Sequence, residues 1–174
     1  MSDEARSLRR CRSVALAVML VSALATRPGL AAENGDFLAF AAGGFDVLHN
    51  YTAGEFRGEY RFGEGLWIFK PFVGLLGTTD QSVYSYGGLR IEIPLGKRWI
   101  LMPNAAVGYY NAGAGKNLGY PIEFREGAEL DYRFANSTRL GLSFNHISNA
   151  GLGRNNPGEE EAAIVYSIPV DFLK

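Results

Sequence analysis

Cysteine occurs once in this chain, at Cys11, and histidine only twice, at His49 and His146. A structural zinc site takes four such ligands, so no cluster of that kind can be assembled, and no residue pattern implies another metal or a cofactor. Positive charge is not in excess either, with 17 lysines and arginines against 18 aspartates and glutamates. Five of those arginines and only two of the acids precede residue 33. The remainder is acidic and offers no nucleic-acid footprint. Long apolar runs are missing as well. The run from Val14 to Ala25 falls short of the roughly 18 to 20 residues that a membrane-spanning helix needs.

What that short run does fit is a secretory signal. Arg6, Arg9, Arg10 and Arg12 precede it and the small residues Gly29, Ala31 and Ala32 follow, the order of a cleavable signal peptide. Residues 1–32 are read as that signal and residues 33–174 as one domain. Cys11 lies before the apolar run, so it is not a lipid-modified cysteine of the kind that follows one.

From Phe37 onward, turn residues recur every twelve to eighteen positions, and the segments between them are rich in aromatic and β-branched residues. This pattern predicts eight strands, roughly 37–48, 54–62, 66–78, 82–95, 98–111, 121–135, 138–148 and 159–172. An even count suits an all-β, eight-stranded antiparallel up-and-down barrel. Alternation is clearest in "EFRGEYRF". There Phe56, Tyr60 and Phe62 share one face and Glu55, Arg57, Glu59 and Arg61 the other. Residues 122–134 repeat the pattern, with Glu126 breaking the apolar side.

Period two does not say which face is inside. A soluble lipocalin-like barrel turns its apolar face inward, and a transmembrane barrel turns it to lipid. Three features favour lipid. The polar faces mix acids and bases that can pair in a narrow lumen. Connections alternate between short ones near 63–65, 96–97 and 136–137 and longer ones at 49–53, 112–120 and 149–158, with 79–81 the exception. Trp67 and Trp99 each begin a predicted strand just after a short turn, which puts both at one rim as part of an aromatic belt.

On the seventh predicted strand Leu140, Leu142 and Phe144 take the apolar face, and counting on by twos reaches His146 and Ser148. On the eighth, Glu160 shares a face with Ile164 and Ile168, while Glu159 and Glu161 take the other. Same-face neighbours stand about 6.6 Å apart at Cα, so an imidazole can bend to a serine hydroxyl. A histidine that removes its proton turns a weak serine nucleophile into a useful one. A carboxylate can then hold the imidazole in the right tautomer, a part open to Glu160 on the adjacent strand. Asn149 follows the serine, and its amide together with main-chain N–H groups near Gly151 and Gly153 could face a developing oxyanion. Asn156-Pro157-Gly158 predicts a tight turn fixing Glu160 relative to His146. His49 has no matching serine and is read as solvated. Lys116 and Arg154 sit in long loops, within reach of lipid phosphates or simply solvated.

The run His146-Ile147-Ser148-Asn149-Ala150-Gly151-Leu152, followed by Asn156-Pro157-Gly158 and Glu160, resembles the C-terminal signature of the lipid A 3-O-deacylases, the PagL family. The resemblance implies an outer-membrane esterase that hydrolyses the 3-O-linked 3-hydroxyacyl chain of lipid A, with its site toward the cell surface. It carries the nucleophile onto Ser148, the base onto His146, the orienting acid onto Glu160, an oxyanion donor onto Asn149 and a supporting role onto Asn156. The implied partners are lipopolysaccharide and the membrane, with assembly of two barrels into a homodimer left open. Rival readings are a phospholipase using the same residues, a non-catalytic adhesin or structural barrel, and a soluble lipocalin-like binder.

Overall fold

The computed structural model describes residues 35–49 and 52–170, and the segment read as a signal peptide lies outside them. Nine strand segments follow one another: β1 (Asp36–Phe45), β2 (Ala53–Arg61), β3 (Lys70–Thr78), β4 (Val83–Arg90), β5 (Ile93–Leu95), β6 (Trp99–Asn111), β7 (Ile122–Arg133), β8 (Arg139–Ser148) and β9 (Glu159–Val170). All pairings are antiparallel, in the order β4-β3-β2-β1-β9-β8-β7-β6-β5, and a further β4–β6 pairing closes the ring.

β4 and β5 are two lengths of one stave. Both pair with β6, and the register runs on unchanged from Arg90↔Asn104 to Ile93↔Leu101. The interruption lies opposite Pro103. Ile91 donates its N–H to the Pro103 carbonyl at 3.0 Å, but proline has no N–H to return, so the ladder loses one bond there. The result is the expected closed barrel of eight staves.

The faces sort as the alternation predicts. On β2, Glu55, Arg57, Glu59 and Arg61 are buried while Phe56 is exposed. On β7, Glu123, Arg125, Glu129 and Asp131 are buried while Phe124 and Leu130 are exposed. The apolar wall therefore faces outward, and the ions fill the lumen. Burying isolated charges is costly, and pairing offsets the cost. Glu161 accepts hydrogen bonds from Arg57, Arg125 and, at 2.9 Å, Asn145 Nδ2. Arg61 grips both oxygens of Glu129, at 2.8 and 2.7 Å. Glu92 meets Lys70, Arg90 and Arg139, each at 3.1 Å.

The lumen is not polar throughout. Toward the loops that follow β1, β3, β6 and β8, it also holds Phe45, Leu76, Tyr84, Tyr110, Leu118 and Ile147. Buried phenols need partners: Tyr84 donates to the Glu123 carbonyl at 2.9 Å and Tyr110 to the Lys116 carbonyl at 2.8 Å. Aromatic and aliphatic side chains thus share this end of the lumen with the buried acids Glu55, Glu123 and Glu159.

The opposite end carries the connections 62–69, 96–98 and 134–138. Here the structure differs from expectation in one detail. Trp67 does not begin a strand, because Leu66 and Phe69 close a small loop through reciprocal N–H···O bonds of 3.0 and 3.1 Å, and Trp67 sits at its tip with φ 60°. The 62–69 connection is accordingly longer than read, and 79–82 stays short. Both tryptophans remain at this rim and are exposed. Neighbouring rings stack edge-on, Trp99 with Tyr132 and Tyr132 with Phe134 at 5.2 Å, and Tyr60 with Phe62 at 4.9 Å, which makes an aromatic girdle.

Glu161→Ala would take the shared carboxylate from two buried guanidinium groups, leaving Arg57 with Glu55 and Glu59 and Arg125 with the Asn104 amide, a loss of about 3 kcal/mol. The expected outcome is a lower urea midpoint for the detergent-folded barrel, read as the folded band in unheated gels. An unchanged midpoint would mean that the network does not carry stability.

Candidate active site on the outer wall

The pleat of β8 and β9 carries the candidate residues to one place. Along β8, Ser143, Asn145 and Ile147 are buried, while Leu142 and Phe144 are exposed and His146 and Ser148 are partly so. Along β9, Glu159 and Glu161 point into the lumen, and Glu160, Ala162 and Ile164 face out. His146 and Glu160 are direct partners in the β8–β9 ladder. His146 Nδ1 lies 3.3 Å from Glu160 Oε1, with side-chain exposures of 39% and 19%. Ser148 is the next outward residue along β8, opposite Phe124. Among the described residues no hydrogen bond reaches the Ser148 hydroxyl, so the structure joins His146 to Glu160 and places Ser148 beside them unbonded. Catalytic contacts are often loose without substrate.

The β8–β9 loop, residues 149–158, holds this geometry from within. The structure departs from expectation at Asn149, whose side chain is fully buried. Its Nδ2 donates to the carbonyls of Leu118 and Asn155 at 2.8 Å, and its Oδ1 accepts from Gly151 N–H at 2.9 Å. The main-chain N–H of Asn149 is held by Asn156 Oδ1 at 3.0 Å. Asn149 and Gly151 are therefore loop-building groups in this state rather than free oxyanion donors, because pleat parity carries Asn149 inward. Asn156 thereby ties the far side of the loop to the end of β8. Gly158 has φ 62°, the left-handed conformation expected of the turn. A Cβ there would lie 2.7 Å from His146 Cε1 and 3.2 Å from Nε2, so this glycine lets the backbone approach the imidazole.

Four neighbours, Asp46, His49, Lys116 and Glu126, were not read as part of the site. His49, expected to be solvated, is half exposed yet lies with Nδ1 3.0 Å from Asp46 Oδ1 and 3.2 Å from Glu160 Oε2. Lys116 Nζ is 2.6 Å from the same Asp46 oxygen. Glu126, whose acid on an apolar face was visible in the alternation, is the ladder partner of His146 on β7. Asp46, His49 and Glu160 offer ligand atoms all within 4.8 Å of one another, a spacing that a divalent ion can bridge, but the Lys116 ammonium already supplies the cation at Asp46. Arg154 is exposed. Below His146 and Glu160 on the outer wall runs an open groove of about 460 Å³, lined by Ala128, Leu130, Leu142, Phe144, Ala162 and Ile164.

A closed barrel with an apolar exterior, an ionic lumen and a histidine–carboxylate pair on its outer wall defines a transmembrane β-barrel with an outward-facing polar site. The model of the family "Lipid A 3-O-deacylase (PagL)" matches residues 38–169, and the chain belongs to that family. A Pseudomonas aeruginosa protein named lipid A deacylase PagL is 36% identical over 55 residues, which span only 32% of this chain and 32% of that protein. The crystal structure of the outer membrane enzyme PagL superposes with a TM-score of 0.58 at 21% identity, covering 77% of this chain and 99% of that one. A designed transmembrane β-barrel superposes with the same score at 12% identity, over 79% of this chain and 96% of the design. Overall shape thus speaks only of a barrel, and the family match distinguishes it from barrels at large.

Gly158→Ala is expected to push the imidazole off Glu160 while leaving a folded barrel. With 15N-labelled histidine in detergent, the His146 Nδ1 resonance should shift relative to wild type. An unchanged resonance would show that the close approach does not position the ring.

Proposed function

We propose that this chain is an outer-membrane esterase that removes the 3-O-linked 3-hydroxyacyl chain of lipid A, through Ser148, His146 and Glu160. The observation that carries the reading is the 3.3 Å His146–Glu160 contact on the lipid-facing wall with Ser148 on the same face. Polar groups set against hydrocarbon are costly and mark function. Family membership supplies the reaction class.

Glu160 accepts Nδ1–H of His146 and so leaves Nε2 unprotonated as the base. Ser148 Oγ attacks the ester carbonyl as His146 takes its proton, giving a tetrahedral oxyanion. Collapse expels the sugar 3-oxygen, which receives that proton from His146, and leaves the acyl group on Ser148. Water, deprotonated by His146, then attacks the acyl-serine, and a second collapse frees the 3-hydroxy fatty acid and restores Ser148. The oxyanion would draw on main-chain N–H groups of the 149–151 segment once substrate displaces their internal acceptors, with stabilisation of this kind worth several kcal/mol in other hydrolases.

The groove below the pair suits an acyl chain laid along Leu142, Phe144 and Ile164, which a lipid could enter by lateral diffusion without passing through the lumen. With the short 96–98 and 134–138 turns toward the periplasm, the long 149–158 loop and the site open to the outer leaflet, where lipid A resides.

Mass spectrometry of lipid A from cells expressing wild type or Ser148→Ala tests this. The expected result is loss of one 3-hydroxyacyl group with wild type alone. Release of fatty acid from glycerophospholipid instead would favour the phospholipase reading, and identical spectra from two folded proteins would leave a non-catalytic barrel.

A further inference from the structure

We infer that His49 is a positioning residue for this hydrolysis, holding Glu160 by the carboxylate oxygen that His146 does not use; the inference rests on the function proposed above. Glu160 Oε1 faces His146 at 3.3 Å, and Oε2 faces His49 Nδ1 at 3.2 Å. One carboxylate thus sits between two imidazoles. Oε2 is buried and accepts no hydrogen bond among the described residues; His49 Nδ1 hydrogen-bonds Asp46 Oδ1, and its 3.2 Å approach to Oε2 is a polar contact outside hydrogen-bond alignment. The terminal torsion of a glutamate is broad, so contact at Oε1 alone leaves the carboxylate free to turn away from His146. A second contact on the far oxygen removes that freedom.

The turn after β1 is built to hold His49 there. Asp46 is wholly buried and in a left-handed conformation at φ 56°. Its N–H donates to Glu159 Oε2 at 3.0 Å, and its Oδ1 meets both Lys116 Nζ and His49 Nδ1. Val47 N–H donates to the Glu160 carbonyl at 2.9 Å, which ties the turn directly to the residue it serves. Thr52 Oγ1 donates to the carbonyls of Asp46 and His49 at 3.2 and 3.3 Å. The imidazole itself is half exposed, so core packing does not explain its place. Barrel closure brings this turn to the site, since β1 pairs with β9.

The test uses the full chain folded in lipid, with lipid A as substrate, comparing wild type, His49→Ala, His49→Asn and Ser148→Ala. A polar contact to a partly buried carboxylate is strong enough to support a change of roughly tenfold. His49→Ala should lower kcat about tenfold with KM within about twofold of wild type. An asparagine amide can place a donor near the position of Nδ1, so His49→Asn should recover most of that loss. Rates are taken per folded molecule from unheated gels, so a smaller folded fraction in one variant does not enter the comparison. Wild-type kcat in His49→Ala, or equal impairment in the alanine and asparagine variants, would overturn the inference. Ser148→Ala separates the two failures: if it stays active, the active-site reading itself falls, and if it is inactive while His49→Ala behaves as wild type, only the role of His49 falls.

Discussion

Side chains two apart on a strand share a face, and a closed barrel has only two faces, one filled by its own side chains and one against lipid. That constraint governs both the stability and the chemistry of this molecule. It sends Glu159 and Glu161 into the lumen and Glu160 out to the wall, so three consecutive glutamates divide into two lumenal carboxyl groups and one surface carboxylate. The same pleat holds Asn145 beside Glu161 inside while His146 meets Glu160 outside. Structural and candidate catalytic polar networks therefore lie back to back across a single layer of backbone.

The interior leaves the wall free to act. Buried polar groups together with aromatic and aliphatic side chains fill the barrel, so no water-filled channel is needed to bring substrate in. On the exterior most outward residues are aliphatic or aromatic. The polar exceptions gather on adjoining strands at the end bearing the 149–158 loop, where Glu126, His146 and Glu160 occupy neighbouring ladder positions. A polar row at the edge of an apolar wall, above a groove lined by small and branched side chains, is suited to a substrate that is itself half lipid and half headgroup.

Much of this was legible in the sequence, because strand parity is a local property. The alternation of "EFRGEYRF" marked the two faces of β2, and counting by twos from Leu140 and back from Ile164 placed His146, Ser148 and Glu160 on one wall. Features that depend on loop backbone or on closure were not legible. Asn149 lies one residue past the end of β8 and was read as an outward amide, yet it keeps the inward parity of its neighbours and is consumed by loop hydrogen bonds. Trp67 was read as the start of a strand, but a local loop at Leu66–Phe69 delays β3. The break at Ile91 reflects a missing donor on a different strand, at Pro103. His49 was taken for a solvated residue because its contact with Glu160 spans 111 positions and exists only where the first and last staves meet. Glu126 offered a signal, an acid on an apolar face, whose meaning required the β7–β8 register.

The central claim is that a reactive serine stands on the lipid side of the wall, and a lipophilic fluorophosphonate offered to the membrane-embedded protein tests it most directly. Peptide mass spectrometry should locate the adduct on Ser148, with Ser143 and Ser167, which are buried in the lumen, left unmodified. An adduct on Ser143, or a folded protein that takes up no probe, would contradict the account.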